Sequence, residues 1–316
     1  MPFFSIIIPL YNKAPYITET LKSVLGQTFR DFELTVVDNG STDGSGEIVE
    51  KIDDTRLFLF RQEENTGVSS ARNLGVSMSK APYITFLDAD DWWEPTFLEE
   101  MAGLIHRHPE AGIYGTKYYI VKHKQKKEAA IEVDKDFAEG EINYCQVYAK
   151  NLCMPLWTGA ICIPRWIFDT MGGFRSNLTL GEDFDLWLRI ALKYKTVLLN
   201  KPLSNYNQDV DSTYSSTRNK NFNPDTFMAF HFDPFEEEES KNPDLKKLLD
   251  RIRVYSLMNF REYNLFPNRV QHEIAKVNFS NVKPLYRLYY HAPYWIVRTC
   301  FRIKRILSSI KQKTLR

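Results

Sequence analysis

Through about residue 100 the chain alternates short, almost wholly apolar runs with stretches whose apolar positions recur every three or four residues. Phe4-Ser-Ile-Ile-Ile-Pro-Leu10 and Phe32 to Val37 are apolar enough to predict strands buried on both faces. Between them Ile17, Leu21, Val24 and Leu25 fall on one side of a helix, and Ile48, Val49 and Ile52 repeat that spacing after the second run. Arg56 to Phe60 reads as a short strand, Val68 to Met78 as a helix, and Tyr83 to Leu87 as a fourth strand. Strands and helices in this alternation predict a mostly parallel, helix-covered sheet.

Further on the pattern loosens. Ile113 to Val121 predicts a strand, His123 to Lys127 a charged turn, and Ala129 to Val133 its hairpin partner. Tyr144 to Asn151 has helical spacing, and Ile161-Cys162-Ile163 is short and strand-like. Phe184 to Tyr194 predicts a helix with Leu186, Trp187, Ile190, Ala191 and Tyr194 on one side, and Thr196 to Leu199 a further strand. From about Asn219 onward the pattern is helical and polar, and the acidic run Glu236 to Glu239 reads as a solvated surface.

Composition narrows the class only a little. The 316 residues carry a formal net charge of +1, which gives no global field for nucleic acid, and no RNA-binding motif is present. Four cysteines form no C-x-x-C pair, so neither zinc nor disulfides are expected, and a reducing, cytoplasmic setting follows. A strand begins within a few residues of Met1, so no signal peptide is expected, and no apolar run reaches the ~18 residues of a spanning helix. Charge is uneven, however. After Glu273 there is no acid, while Lys276, Lys283, Arg287, Arg298, Arg302, Lys304, Arg305, Lys311, Lys313 and Arg316 are interleaved with aromatic and aliphatic residues from Tyr286 to Ile310. Such a basic amphipathic tail either docks on an anionic membrane surface or packs on the catalytic domain with its charges in water.

The chemistry centres on Asp88-Ala89-Asp90-Asp91, directly after the fourth strand. Acids are disfavoured in a strand core, but just past a strand's carboxyl end they face the crevice of an α/β sheet, where carboxylates can hold Mg²⁺ or Mn²⁺. Taken alone, the run reads first as an acidic turn capping the helix that starts near Pro95, and its companions change that reading. Three companions stand at other strand ends or helix starts: Ile8-Pro9-Leu10-Tyr11-Asn12, Val37-Asp38-Asn39-Gly40-Ser41-Thr42-Asp43, and Asn65-Thr66-Gly67-Val68-Ser69-Ser70-Ala71-Arg72-Asn73. Downstream lie Gly172-Gly173-Phe174 and Gly181-Glu182-Asp183-Phe184-Asp185-Leu186-Trp187-Leu188-Arg189.

In this order and spacing, over roughly residues 4 to 212, the chain resembles the family 2 inverting glycosyltransferases of bacterial capsule and lipopolysaccharide type. The resemblance implies an α/β GT-A fold: a Rossmann-like, mostly parallel central sheet flanked by helices, with a helical C-terminal extension. It also implies transfer of one hexosyl or N-acetylhexosaminyl group from a nucleotide-diphosphate sugar to a hydroxyl acceptor, with inversion, on a lipid-linked (polyprenyl) or growing surface glycan. No Gln-x-x-Arg-Trp motif follows the expected base, so single addition is favoured over processive synthesis.

Residue by residue, the resemblance makes Asp183 the general base, though an acid at a helix start is also a favourable partner of the helix dipole. It makes Asp90 the metal ligand, with Asp88 nearer the ribose or the metal's waters, Ala89 in contact with the nucleotide, and Asp91 either an outer partner or a helix cap. Tyr11 is expected to stack on the base beside Pro9. Asn39 stands where the family has an Asp that accepts the uracil N3–H, so a UDP-sugar is favoured but less firmly. Arg72 is expected near the diphosphate or the acids, and Glu182 and Trp157 at the acceptor or sugar pocket; core packing is the other reading of Trp157. Asp209, where the family often has His, is either an additional metal ligand or a loop acid. Mg²⁺ or Mn²⁺ is the implied cofactor.

The expected organisation is a catalytic domain over residues 1–215, with a nucleotide-binding half 1–110 and an acceptor half 111–215. A helical extension over 216–316 follows, with its basic tail from about 276. If that tail docks on membrane, the enzyme is expected to be cytoplasmic and peripheral at the inner face of the cell membrane; the other reading is a tail packed on the catalytic domain. The alternatives are a nucleotidyltransferase of Rossmann-like fold, which would want a Gly-rich basic loop absent from Pro9-Leu10-Tyr11-Asn12-Lys13, and a catalytically silent sugar-nucleotide-binding scaffold.

Overall fold

A computed structural model of the chain describes residues 1–211, 213–214 and 223–299. It forms two compact units that divide at residue 220. In the first, the apolar runs become β1 (Phe4–Leu10), β2 (Phe32–Asn39), β3 (Leu57–Gln62) and β4 (Tyr83–Phe86), alternating with α1 (Ile17–Leu25), α2 (Ser45–Glu50) and α3 (Val68–Ser77). These strands pair in parallel in the order β3-β2-β1-β4. β1 and β2 are buried on both faces, which explains why their sequences do not alternate. α3 lies close to the sheet: a Cβ on Gly75 would sit 2.4 Å from Ile7 Cγ2, so only glycine fits.

The second part of this unit comprises β5 (Trp92–Trp93), α4 (Phe97–Arg107), β6 (Ile113–Lys122), β7 (Gln125–Glu128), β8 (Glu139–Ile142), α5 (Tyr144–Asn151), β9 (Ile161–Pro164), α6 (Arg165–Met171), α7 (Glu182–Ala191) and β10 (Thr196–Asn207). β9 joins the halves, antiparallel to β4 on one side and to β6 on the other. β6 and β10 run parallel beyond it, and β5 closes the path on β10.

Three expectations need correction. The hairpin partner of β6 is Gln125–Glu128, and the turn is only His123-Lys124, both at positive φ. That strand is polar and exposed throughout, so it carries no apolar signal. β10 continues eight residues past Leu199, through bulges near Pro202 that interrupt its pattern. α7 starts at Glu182, so the expected base lies inside its first turn and not before it.

The second unit is helical: α8 (Glu236–Lys241), α9 (Pro243–Ser256), α10 (Met258–Glu262), α11 (Pro267–Ala275) and α12 (Pro284–His291). At its centre the fully buried Arg253 makes two bonds to Glu239, at 2.5 and 2.9 Å, and one to Glu273 at 3.3 Å. The tail residues Arg302, Lys304, Arg305, Lys311, Lys313 and Arg316 lie outside the described residues. Among the described residues no helix is long and apolar enough to cross a membrane.

Candidate active site

The parallel strands end together, and the loops that leave them converge. Asp90 meets the ammonium of Lys13, from the loop after β1. That ammonium also donates to the Tyr214 carbonyl at 2.7 Å. The loop itself is held from behind, as the Lys13 amide donates to Ser45 Oγ at 2.8 Å and the Asn12 amide to Ser41 Oγ at 3.0 Å. Thr20 of α1 secures the acid turn from below, its hydroxyl 3.0 Å from the Ala89 carbonyl and 2.8 Å from that of Asp91.

The acids divide by environment. Asp88 is partly open and takes a 2.7 Å bond from Arg72. Asp90 is mostly enclosed; burial raises its pKa, Lys13 opposes the rise, and Asp88 adds to it. Asp91 is fully enclosed and its pKa is pushed well up by burial, then by Asp90 and Asp88. Its oxygens accept the Asn207 amide at 2.8 Å and the Trp157 indole N–H at 3.3 Å. Asp91 is therefore a tie between the acid turn, β10 and the segment before β9, not a helix cap.

These carboxylates suit a hard cation. Asp90 is an acid raised by burial and by a neighbouring acid, and a cation relieves both. Among the described residues no three His, Cys, Asp or Glu side chains form a ready cage, so a bound ion would complete its shell with oxygens from water or a diphosphate. Asp209 is occupied elsewhere: its oxygens accept the His123 and Lys124 amides of the β6–β7 turn at 2.6 and 2.7 Å. Those amides lower its pKa, Lys124 first.

Across the crevice stands α7. Gly181, at φ +84°, turns the chain so that Glu182 and Asp183 open the helix. The helix is anchored by Trp187, which packs on Phe174 and Phe86 with ring centres 5.7 and 6.5 Å away. It is anchored again by Asp185, which pairs with Arg189 at 2.8 Å, while Arg189 donates to the Gly173 carbonyl at 2.7 Å. Asn73 takes the Phe174 amide at 3.0 Å and returns a 2.8 Å bond to its carbonyl. The downstream motifs are thus largely a fixture that seats α7 against α3 and the sheet.

Arg72 joins the two sides. It is buried, and its guanidinium reaches Asp88 at 2.7 Å and Glu182 at 3.1 Å. Burial raises the Glu182 pKa, Asp183 raises it further, and Arg72 opposes both. Asp183 accepts the Phe184 amide at 2.7 Å on one oxygen and the Thr158 hydroxyl at 3.2 Å on the other. Tyr144, also buried here, has its pKa pushed well up by burial, with smaller contributions from Tyr148 and Asp183.

The remaining expected residues fall as follows. Tyr11 is exposed at the end of β1 beside the half-buried Pro9, so its ring is open for stacking. Trp157 packs against Tyr206, ring centres 4.0 Å apart, and against Tyr118 at 5.7 Å, which leaves it more a wall than an open platform. Asn39 is buried and its amide is fully engaged. Its oxygen accepts the Thr66 amide and hydroxyl, each at 3.1 Å, and its nitrogen donates to Asn65 Oδ1 at 2.9 Å and the Gly67 carbonyl at 3.3 Å. Sequence reasoning missed Lys13 and Thr158. Lys13 carried a signal, a cation two residues past Tyr11 at a strand end that faces acids; Thr158 carried only its position beside Trp157.

The profile of glycosyl transferase family 2 matches residues 5–164 of the chain. Glycosyltransferase GlyA of Streptococcus pneumoniae is 37% identical over 116 residues, 36% of this chain and 16% of that protein. An uncharacterized glycosyltransferase of Rickettsia felis is 30% identical over 237 residues, 68% of this chain and 38% of its own. The chain thus spans less than half the length of either relative. The crystal structure of S. aureus TarS 1-349 in complex with UDP-GlcNAc superposes with a TM-score of 0.76 at 21% identity, covering 96% of this chain and 92% of the other. At that identity the likeness is one of fold, and the fold is GT-A.

Proposed function

As a chain that belongs to glycosyl transferase family 2, this protein is, we propose, an inverting transferase that moves one sugar from a nucleotide diphosphate to a hydroxyl acceptor. One observation carries the reading: Arg72 bonds to Asp88 on one side and to Glu182, next to Asp183, on the other, so the acid turn and the base face one crevice. Asp183 takes the acceptor proton as the hydroxyl attacks the anomeric carbon and the diphosphate departs. Asp90, with Asp88, would hold Mg²⁺ or Mn²⁺, which supplies positive charge to the leaving diphosphate. Lys13 stands beside Asp90 as a second source of that charge. Tyr11 stacks on the nucleobase, with Pro9 and Ala89 beside it.

The fold neighbour TarS has been crystallised with UDP-GlcNAc and with UDP, which supports a uridine donor and a hexosyl or N-acetylhexosaminyl group. Because the Asn39 amide is engaged by the 65–67 loop, the base would be read by other groups than Asn39. The acceptor in this reading is a lipid-linked or growing surface glycan. Leu285 and Leu288 of α12, and Trp295 beyond it, are exposed among Lys283, Arg287 and Arg298, which supports peripheral docking on an anionic membrane.

The test is diphosphate release from a panel of UDP-, GDP- and dTDP-sugars, with and without EDTA. Turnover of at least one donor is expected, with its loss in Asp183→Asn and in excess EDTA. Full turnover in Asp183→Asn would remove the base role, and full turnover in EDTA the metal. Co-sedimentation with anionic vesicles, lowered by replacing Leu285, Leu288 and Trp295 with serine, checks the membrane.

A further inference from the structure

Between α5 and β9 the chain makes a short turn, Thr158–Ala160, that is fixed from three directions. Ahead of it, the Trp157 indole donates to Asp91 Oδ2 at 3.3 Å and its ring packs on Tyr206. In its middle, the Gly159 carbonyl accepts the Trp93 indole N–H at 2.6 Å. The Ala160 amide closes the turn on the Trp157 carbonyl at 2.8 Å. Space around it is tight, since a Cβ on Gly159 would meet Ser204 Oγ at 3.3 Å and Leu87 Cδ1 at 3.4 Å.

Thr158 is buried on this rigid turn, and its hydroxyl donates to Asp183 Oδ2 at 3.2 Å. Asp183 Oδ1 accepts the Phe184 amide from α7 itself. Two donors on two different elements therefore hold the two oxygens and stop rotation of the carboxylate plane. A carboxylate offers about four lone-pair sites, so unoccupied ones remain on each oxygen for an incoming hydroxyl. Without Thr158 the carboxylate would have one anchor, on its own helix, and could turn about it.

We propose that Thr158 is a positioning residue for Asp183, held in place by the Trp157–Asp91 and Trp93–Gly159 bonds, so that the acid turn and the base are set in register through one short segment. This rests on the reading of Asp183 as the base. Its effect belongs to the chemical step: misaligning a base slows proton removal without altering donor affinity.

The experiment compares wild type, Thr158→Val, Thr158→Ser and Asp183→Asn, using whichever sugar nucleotide of the UDP-, GDP- and dTDP-linked panel wild type hydrolyses fastest. UDP binding is measured separately by calorimetry. Val is nearly isosteric and lacks the hydroxyl, whereas Ser keeps it. Thr158→Val should lower kcat at least tenfold with KM and UDP affinity within twofold of wild type, and Thr158→Ser should recover most of the loss. A Thr158→Val kcat within threefold of wild type overturns the proposal, as does an equal loss in Thr158→Ser, which would assign the effect to the packing of the side chain and not to its hydroxyl. Asp183→Asn separates the two failures: if it retains turnover, the base reading falls; if it is inactive while Thr158→Val keeps a kcat within threefold of wild type, only the positioning role falls.

Discussion

Replacing Arg72 with methionine removes a guanidinium that two acids of the crevice share. Arg72 is 4% exposed in its side chain, Glu182 12% and Asp88 31%. Methionine fills much of the volume, so the loss is chiefly electrostatic. Breaking a buried pair by deleting one partner costs about 3–5 kcal/mol, because the other charge stays behind unpaired. Here most of that falls on Glu182, since Asp88 is open enough to regain water. A unit of about 200 residues loses roughly 2–4 °C of Tm per kcal/mol, so Arg72→Met should melt about 6–20 °C lower at neutral pH. The deficit depends on pH. Glu182's pKa is raised by burial and by Asp183, and Arg72 is the larger influence opposing them, ahead of a backbone hydrogen bond, so without Arg72 it rises further. An acid whose folded pKa exceeds its unfolded value loses stability as pH climbs from the unfolded to the folded value. The deficit should therefore be smaller at about pH 5 than at about pH 7.5, because the unpaired carboxylate weighs more as Glu182 gives up its proton. Arg72→Met/Glu182→Gln should recover about 1–3 kcal/mol relative to the single variant. Thermal and urea melts of the three variants at both pH values provide the assay. A single variant within about 2 °C of wild type at pH 7.5, or a deficit that shrinks as pH rises, would refute the reasoning.

Three further outcomes follow from the site. Lys13→Met removes a cation from beside Asp90, so Mn²⁺ binding without nucleotide, read by electron paramagnetic resonance, should tighten by roughly tenfold; unchanged affinity would show that the ion does not share Asp90 with Lys13. Asn39→Asp sets a carboxylate oxygen against the Asn65 side-chain oxygen and the Gly67 carbonyl, and should cost about 1–3 kcal/mol in urea melts without tightening UDP binding; a gain in UDP affinity would return Asn39 to the base site. Gly75→Ala pushes α3 off β1 and should lower stability by about 1–3 kcal/mol, and no loss would mean that α3 shifts freely.

β1, β2, β4, α1 and α3 were legible because each buries a run or a face, and burial leaves a period in the chain. β5 and β8 were not. β5 is two residues long, and β8 carries no fully buried residue, so neither writes a pattern. β7 misled for a related reason, since its ladder forms from exposed Lys and Glu while the buried Ala129 and Ile131 lie after it. The candidate acids were legible as residue types at strand ends. Their division of work was not: Asp91 and Asp90 are neighbours of the same type, yet one holds Trp157 and Asn207 and the other meets Lys13.

By itself, then, the chain's pattern determined the alternating architecture, the convergence of four motifs at one sheet edge and the family. These depend on local periods and on the topology rule that parallel strands end together. Only the tertiary structure decided which side chains meet. Arg72 bonds to a carboxylate 110 positions away, Lys13 to one 77 away and Trp157 to one 66 away. Such pairs depend on strand register, on the seating of α7 by Trp187 and Asp185, and on where Gly181 turns the chain. A one-dimensional pattern reports that a residue is buried, but the partner it is buried against is set by the packing of elements remote in sequence.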